Sequence, residues 1–142
     1  MQTVGELLKK HDGTLWHVTP HITVYEAVEK LSHYGAGALL VMDGERLAGV
    51  FSERDYTRKI TLQGRNSKET RVHEIMTADV FTVSASTRTH DCMALMSAKK
   101  IRHLPVMQGD TVLGMISIRD IMDDIIADHE STIATLHHYI HS

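Results

Sequence analysis

The chain has 142 residues, 42% of them hydrophobic and 23% charged, which is typical of one soluble globular domain or two very small ones. The net charge of −3 and the absence of any basic run longer than two residues argue against a nucleic-acid or anionic-membrane surface. A single cysteine, Cys92, excludes an internal disulfide and is consistent with a reducing compartment. No apolar run approaches the ~20 residues that cross a bilayer, and the N-terminus does not resemble a signal peptide. We therefore expect a cytoplasmic protein.

The chain repeats itself after 65 residues. Val18–Tyr56 aligns without a gap over Val83–Ile121, and ten of the 39 aligned positions are identical. Ahead of this block, Val4–Leu8 matches Val72–Met76 at an offset of 68, and the difference falls in the turn-like His11–Thr14. An ungapped match of this length indicates two copies of one supersecondary unit rather than chance similarity of two amphipathic segments.

Both copies predict the same elements in the same order. A capping box at Thr23–Glu26 begins a helix, and Asp-Gly between two apolar runs favours a hairpin, while Gly-Asp in the second copy is a weaker signal. The first copy is predicted as a helix at 4–8, an extended segment at 16–19, a helix from 23, strands at 38–42 and 46–51, and a linker at 63–70. The second copy is predicted as a helix at 72–76, an extended segment at 80–83, a helix from near Thr87, and strands at 103–107 and 111–116.

A last helix is predicted over Ile118–His141, where Asp128–Ser131 could break it. This segment has no counterpart in the first copy, and its apolar residues near one face predict an interface in a homodimer. Those residues are Ile121, Ile125, Ile133, Leu136 and Ile140.

A repeated motif at the end of each hairpin carries the functional signal. It reads Gly49-Val-Phe-Ser-Glu-Arg-Asp55 and again Gly114-Met-Ile-Ser-Ile-Arg-Asp120. Serine followed by a carboxylate three residues on is a helix cap that needs no ligand. An arginine in the first helical turn, however, is disfavoured by the helix dipole, so its repetition suggests a nearby anion. Free N–H groups, a hydroxyl, a cation and a carboxylate at one helix start suit a sugar phosphate.

These residues resemble a pair of CBS domains, the Bateman module named after cystathionine beta-synthase. The two junctions carry the resemblance, together with Gly35-Ala-Gly-Ala-Leu-Leu-Val41 and Ile101-Arg-His-Leu-Pro-Val106. It covers about residues 1–128, and the chain is similar to stand-alone bacterial CBS-pair proteins. The resemblance implies an α/β (α+β) fold of two tandem βαββα units related by a pseudo-twofold axis. The predicted units are residues 1–66 and 67–128, followed by a helical tail at 129–142.

The resemblance also implies adenosine-containing ligands in two clefts, namely AMP, ADP, ATP, NAD or S-adenosylmethionine. Asp55 and Asp120 would bind ribose hydroxyls, each facing the other unit: Asp120 near Thr19 and Ala38, Asp55 near Thr82 and His103. Gly37 and Ala38 stand where the second copy has Arg102 and His103, so the two sites should differ in affinity and one of them could be empty. The predicted phosphate and ribose contacts are Ser52, Arg54, Ser117, Arg119, Arg102 and His103, and the predicted adenine pocket is Val18, Thr19, Gly37, Ala38, Thr82 and Leu104.

Other candidate sites have a plainer interpretation. His137 and His141 have the i, i+4 spacing of a metal pair but no further ligand, so no metal is expected. Asp123, Asp124 and Asp128 are interpreted as a solvated helix face rather than a Mg²⁺ site. Cys92 is interpreted as an inert core cysteine. Neither a dinucleotide-binding fingerprint nor a P-loop is present.

We therefore predict a non-catalytic sensor that binds an adenine nucleotide and signals to an unknown effector protein, without nucleic-acid or membrane partners. The alternatives are a structural dimerisation module with degenerate clefts and, less favoured, a small nucleotide hydrolase or a metal-binding protein.

Overall fold

The structure, a computed structural model, describes residues 2–10 and 15–141, without the side chains of residues 131, 132, 135 and 139–141. The turn predicted at His11–Thr14 lies outside the described residues. The helices are α1 (Val4–Leu8), α2 (Val24–Tyr34), α3 (Glu53–Tyr56), α4 (Val72–Ile75), α5 (Thr89–Lys99) and α6 (Ile118–His141), and a π-helical turn (Thr57–Thr61) continues α3. The strands are β1 (His17–Val18), β2 (Ala38–Asp43), β3 (Arg46–Ser52), β4 (Val83–Ser84), β5 (His103–Gln108) and β6 (Thr111–Ser117).

Two three-stranded sheets confirm the predicted α/β class. In each sheet a short strand pairs in parallel with the first strand of a hairpin, in the orders β1-β2-β3 and β4-β5-β6. The hairpins even share an irregularity, because the register shifts between Val41 and Met42 and again between Val106 and Met107. Repeated sequence has thus produced repeated backbone geometry, down to the same shift in pairing.

The two sheets face each other across a small apolar cluster. Leu40 and Met42 from one sheet and Val112 from the other are buried there. Leu15, Leu47, Met107 and Met115 pack around them. Each sheet therefore buries one face against its own helices and part of the other face against its partner sheet, as expected for units too small to be stable alone.

The first helix of each copy packs on the other copy. Val4 and Leu7 of α1 belong to the core of Cys92, Leu104 and Ile116, which is the core of the second sheet. Conversely, Val72 and Ile75 of α4 belong to the core of the first sheet, with Phe51 and Leu39. Each structural unit therefore contains the opening helix of the other sequence copy, and this exchange interlocks the two units.

Two helix boundaries differ from prediction. Helix α5 begins at Thr89, after an extended Arg88, rather than near Thr87, because the Thr87 side chain instead accepts a hydrogen bond from the Ser84 amide. Helix α6 runs without a break through Asp128–Ser131. Polar residues at those positions leave the helical hydrogen bonds intact, since none of them is glycine or proline. Among the described residues, no helix, α6 included, combines the length and apolar character of a membrane span.

The apolar residues of α6 are divided between the second core and the exposed surface. Ile121 is fully buried in the second core and Ile125 packs against it. These two members of the predicted interface stripe therefore cover the second sheet, on which the helix begins, and are not available to a partner. The large apolar side chains of α6 that are exposed are instead Met122, Ile126, Ile133 and Leu136. The side chain of Ile140 lies outside the described part of the helix.

Asp124 also departs from the predicted solvated face. It is 3% exposed, and Lys10, just beyond α1, lies 3.5 Å from its Oδ1. Neither carboxylate oxygen accepts a hydrogen bond from a described residue. The buried charge is therefore compensated by one partly exposed lysine, which ties α1 to α6.

Candidate functional site

The first candidate junction is a complete capping box at the start of α3. The Ser52 hydroxyl accepts from the Asp55 amide at 3.1 Å, and the Asp55 carboxylate accepts from the Ser52 amide at 3.0 Å. This exchange satisfies two amide groups that the first helical turn leaves without intrahelical partners. It also fixes the Asp55 carboxylate beside the end of β3, where Ala38 pairs with Ser52.

The second junction repeats this arrangement at the start of α6. Asp120 Oδ2 accepts from the Ser117 amide at 2.8 Å, and the Ser117 hydroxyl accepts from the Asp120 amide at 3.2 Å. Here His103 is the residue that pairs with Ser117 across the hairpin. Both predicted ribose carboxylates are therefore held at equivalent places, each at the open end of its own hairpin.

The surroundings of the two carboxylates differ. Asp55 is 7% exposed and has two further partners, the Thr77 hydroxyl and the Lys59 ammonium group, each at 3.1 Å. Asp120 is half-buried, and its carboxylate lies close enough to His103 to affect the pKa of that imidazole. Neither Lys59 nor Thr77 was predicted from the sequence. Lys59 could have been, because it stands four residues after Asp55, the spacing of a helical ion pair.

Arg54, one of the predicted basic residues, bonds to the other unit. Arg54 donates from Nη1 to the backbone carbonyl of Lys100 at 2.8 Å, so it links the two units. Lys100 ends α5 in a left-handed conformation with φ of 55°, and its carbonyl lies just before Arg102 and His103. Arg102 and Arg119 are exposed. Arg54 thus bonds to the backbone beside the predicted phosphate-binding segment.

His103 lies at the contact between the two units. A Cβ on Gly37 would stand 3.3 Å from its Cε1 atom, so the imidazole packs directly against the start of β2. Burial lowers the pKa of His103, the Asp120 carboxylate opposes that shift, and the Arg102 guanidinium adds to it. The carboxylate that acts on the pKa of His103 is therefore that of Asp120, which belongs to the same unit.

The predicted adenine-pocket residues are dispersed. Val18 and Leu104 are core residues, 3% and 0% exposed, because their side chains point to the helix-covered face of each sheet. Ala38 is buried at the start of β2, and Gly37 beside it is half-buried. Thr19 and Thr82 are exposed next to β1 and β4.

A separate cavity of about 1080 Å³ opens between the two hairpin turns. Thr82 is the one predicted site residue among the described residues that line it. Leu15, His17, Arg46 and Asp110 lie on its wall. The cavity is at the turn end of the hairpins, whereas Asp55 and Asp120 follow their opposite, open end. It is therefore a different place from the capped junctions.

Cys92 is a buried residue of the second core. Burial, reinforced by the Asp91 carboxylate, raises the pKa of the Cys92 thiol to about 11, so this thiol stays protonated and unreactive at neutral pH. Within residues 2–10 and 15–141, the described side chains hold no group of three or more histidine, cysteine, aspartate or glutamate residues placed to bind a metal. The side chain of His141, proposed with His137 as a possible pair, lies outside the described ones.

Known proteins match the chain over most of its length. The sequence profile of the CBS domain matches it twice, at residues 4–61 and 72–127. The mitochondrial CBS domain-containing protein CBSX3 of Arabidopsis thaliana is 39% identical over 147 residues, covering 97% of this chain and 71% of that protein.

Solved structures of proteins with CBS domains are also similar to the chain. The structure of a putative signal-transduction protein with CBS domains from Burkholderia ambifaria is 48% identical, with a TM-score of 0.86, covering 89% of this chain and 96% of that one. A CBS domain protein from Pyrobaculum aerophilum, solved in complex with AMP, shares the fold at 24% identity and a TM-score of 0.74, covering 83% and 88% of the two chains.

Proposed function

Since this chain belongs to the CBS-domain family, as a tandem pair of the kind found in regulatory and signal-transduction proteins, we propose that it is a non-catalytic sensor of an adenine nucleotide. The candidate ligands are AMP, ADP, ATP and NAD. Binding in a cleft between the units would change their relative orientation, and an effector protein would respond to that change. The size of the response is limited by the difference in ligand affinity between the two orientations.

The observation that carries this proposal is the carboxylate fixed at the start of α6. Asp120 is held by the Ser117 amide, so its position is set before any ligand arrives. A carboxylate only accepts hydrogen bonds, and the vicinal hydroxyls of ribose are donors that match it. His103 and Arg102 lie on the neighbouring strand end and supply groups for a phosphate. AMP bound to the Pyrobaculum relative supports the choice of an adenosine ligand.

We further propose that the protein is a homodimer joined through α6. The exposed apolar face of this helix comprises Met122, Ile126, Ile133 and Leu136, which are 50%, 52%, 65% and 58% exposed. Full burial of such a side chain contributes about 1.5–3 kcal/mol, and covering the exposed half of each would contribute roughly half of that. A second copy of the same helix would cover this face in a C2 arrangement. The single, buried cysteine supports a cytoplasmic location.

Thermal unfolding with a panel of nucleotides tests the proposed function. AMP, ADP, ATP, NAD and adenosine are added separately to the full chain, and ligand released from freshly purified protein is identified by mass spectrometry. We expect at least one phosphate-bearing ligand to raise the melting temperature more than adenosine does, since binding to the folded state alone stabilises it. If none of the five ligands changes the melting temperature, the chain is instead a structural dimerisation module.

A further inference from the structure

The cavity between the hairpin turns is built from the same positions of both sequence copies. Residues 17, 42 and 44–47 of the first copy line it together with residues 82, 107 and 109–112, which stand 65 positions further along. Its volume of about 1080 Å³ is near the upper end of the range for small-molecule pockets. It lies at the opposite end of the hairpins from Asp55 and Asp120. Equivalent residues therefore meet around one cavity, in contrast to the two separate capped junctions.

The floor of the cavity is apolar. Met42 and Val112 are buried there, and Leu47 and Met107 pack against the same cluster between the sheets. Met42 and Met107 stand at the register shift that the two hairpins share. Such irregularities re-aim side chains and are frequent beside functional sites, and methionine adapts its shape to irregular neighbours. A ligand of this cavity therefore needs an apolar body.

The rim of the cavity carries more negative than positive charge. Glu45 and Asp110 stand at equivalent places, one in each turn, and both are exposed. Arg46 is the permanent cation among the described residues that line the cavity. Its Nη2 lies 3.6 Å from Asp43 Oδ2, so a carboxylate of its own hairpin compensates its charge. The carboxylates of the two turns therefore favour a ligand with a positive charge.

His17 adds a hydrogen-bond acceptor to the wall of the same cavity. Its Nδ1 donates to the backbone carbonyl of Leu15 at 2.8 Å, because a carbonyl oxygen can only accept. The neutral imidazole then keeps Nε2 as an acceptor. Like the carboxylates of Glu45 and Asp110, this ring suits a ligand that donates hydrogen bonds. An ammonium group supplies both the positive charge and the N–H donors.

We propose that the cavity is a ligand site for a small aliphatic amine in its protonated form. The hydrocarbon chain would cover Met42 and Met107, and the ammonium group would lie near Glu45 and Asp110. Aliphatic amines are protonated at neutral pH, as the lysine side chain is. The site is separate from the capped junctions, so it does not depend on nucleotide binding.

Methyl NMR of the full chain, titrated with hexylammonium, hexanol and hexanoate, tests the site. The three probes share one hydrocarbon chain and differ in the charge of the head group. At low ionic strength we expect saturable shifts of the Met42 and Met107 methyl signals, and an affinity for hexylammonium about fivefold higher than for the other two. Met93 and Met96 pack in the second core and should not shift. The proposal is wrong if no shift saturates, if the core methionines shift equally, or if hexylammonium does not bind the most tightly.

Variants of the cavity wall test which groups hold the amine. Glu45→Gln combined with Asp110→Asn removes both carboxylates, and the matched control, Glu29→Gln with Asp79→Asn, removes two exposed carboxylates outside the cavity. We expect the first pair to weaken hexylammonium binding about fivefold and the control to stay within about twofold of the parent. Thr111→Phe, at an exposed position of the wall, should fill the cavity and weaken binding of all three probes. Thermal unfolding confirms that each variant is folded.

Two results with these variants would overturn the proposal. If the chain without the two carboxylates binds hexylammonium as tightly as the parent, the carboxylates do not hold the ammonium group. If Thr111→Phe binds it undiminished, the amine lies outside this cavity.

Discussion

Gly49 and Thr77 approach so closely that a Cβ on residue 49 would stand 2.5 Å from the Thr77 carbonyl oxygen. The contact belongs to a short antiparallel bridge in which Val50 and Thr77 exchange two hydrogen bonds of 2.9 Å. Because Thr77 also donates to Asp55, this bridge places the segment after α4 beside the candidate site of the first unit. The glycine of the repeated motif is therefore required by backbone packing in this copy.

Gly49→Ala is predicted to be more destabilising than Gly114→Ala. The Gly49 site faces backbone that cannot move without breaking the bridge, whereas a Cβ on Gly114 would meet the end of the Leu8 side chain at 3.1 Å, which can rotate. Overpacking of this kind costs about 1–3 kcal/mol. Urea unfolding of both variants measures the difference. Equal losses of stability in the two would show that the Thr77 bridge is not what demands the glycine.

Lys10→Met is predicted to lower the free energy of unfolding by about 1–3 kcal/mol, the cost of a buried polar group left without its partner. Lys10 is 54% exposed, but the Asp124 side chain that it neutralises is 1% exposed. Lys9→Met, one residue away and exposed, is the control and should change stability little. A Lys10→Met variant as stable as the control would mean that water compensates Asp124.

His103 is predicted to make the protein less stable at acid pH. Burial lowers its folded-state pKa below the ordinary value of 6.5. As the pH falls below about 6.5, the unfolded chain therefore gains a proton on this residue before the folded chain does, which favours unfolding. His103→Gln should lose less stability than the parent between about pH 7.5 and 5.5 in urea titrations. Parallel pH profiles for the two proteins would contradict this prediction.

Ile133→Glu and Ile126→Glu are predicted to convert the proposed dimer to a monomer. Both residues lie on the exposed apolar face of α6, and a charge there cannot be buried without a partner. Glu130→Gln, an exposed residue of the same helix, is the control. Light scattering at micromolar concentration gives the mass of each. A parent chain that is already monomeric would refute the dimer, and a dimeric Ile133→Glu would place the interface elsewhere.

Much of the fold could be predicted from sequence patterns that extend over a few residues. The repeat, both hairpins and both Ser–Asp caps were predictable, because turn chemistry and capping act over three to five residues. The packing of α1 and α4 on each other's units was not predictable. The two short apolar helices have the same periodicity, so the pattern does not show which of the two cores each helix covers. Nor could periodicity show which apolar residues of α6 the sheet covers, because Ile121 and Met122 are adjacent in sequence, yet only Ile121 is buried.

The candidate site likewise contains contacts that local sequence could predict and contacts that it could not. Lys59 stands one helical turn from Asp55 and was visible as a possible ion pair, although nothing local shows that Thr77 joins it. Arg54 was predicted to contact phosphate from its place at a helix start. Its bond to the Lys100 carbonyl spans 46 residues of sequence, which local reasoning does not reach.

The structure of the chain crystallised with AMP tests the central claim most directly. We predict AMP with its ribose hydroxyls within hydrogen-bond distance of the Asp120 carboxylate and its phosphate on the side of Arg102 and His103. AMP seated in the cavity between the hairpin turns, without contact to Asp120, would contradict the account.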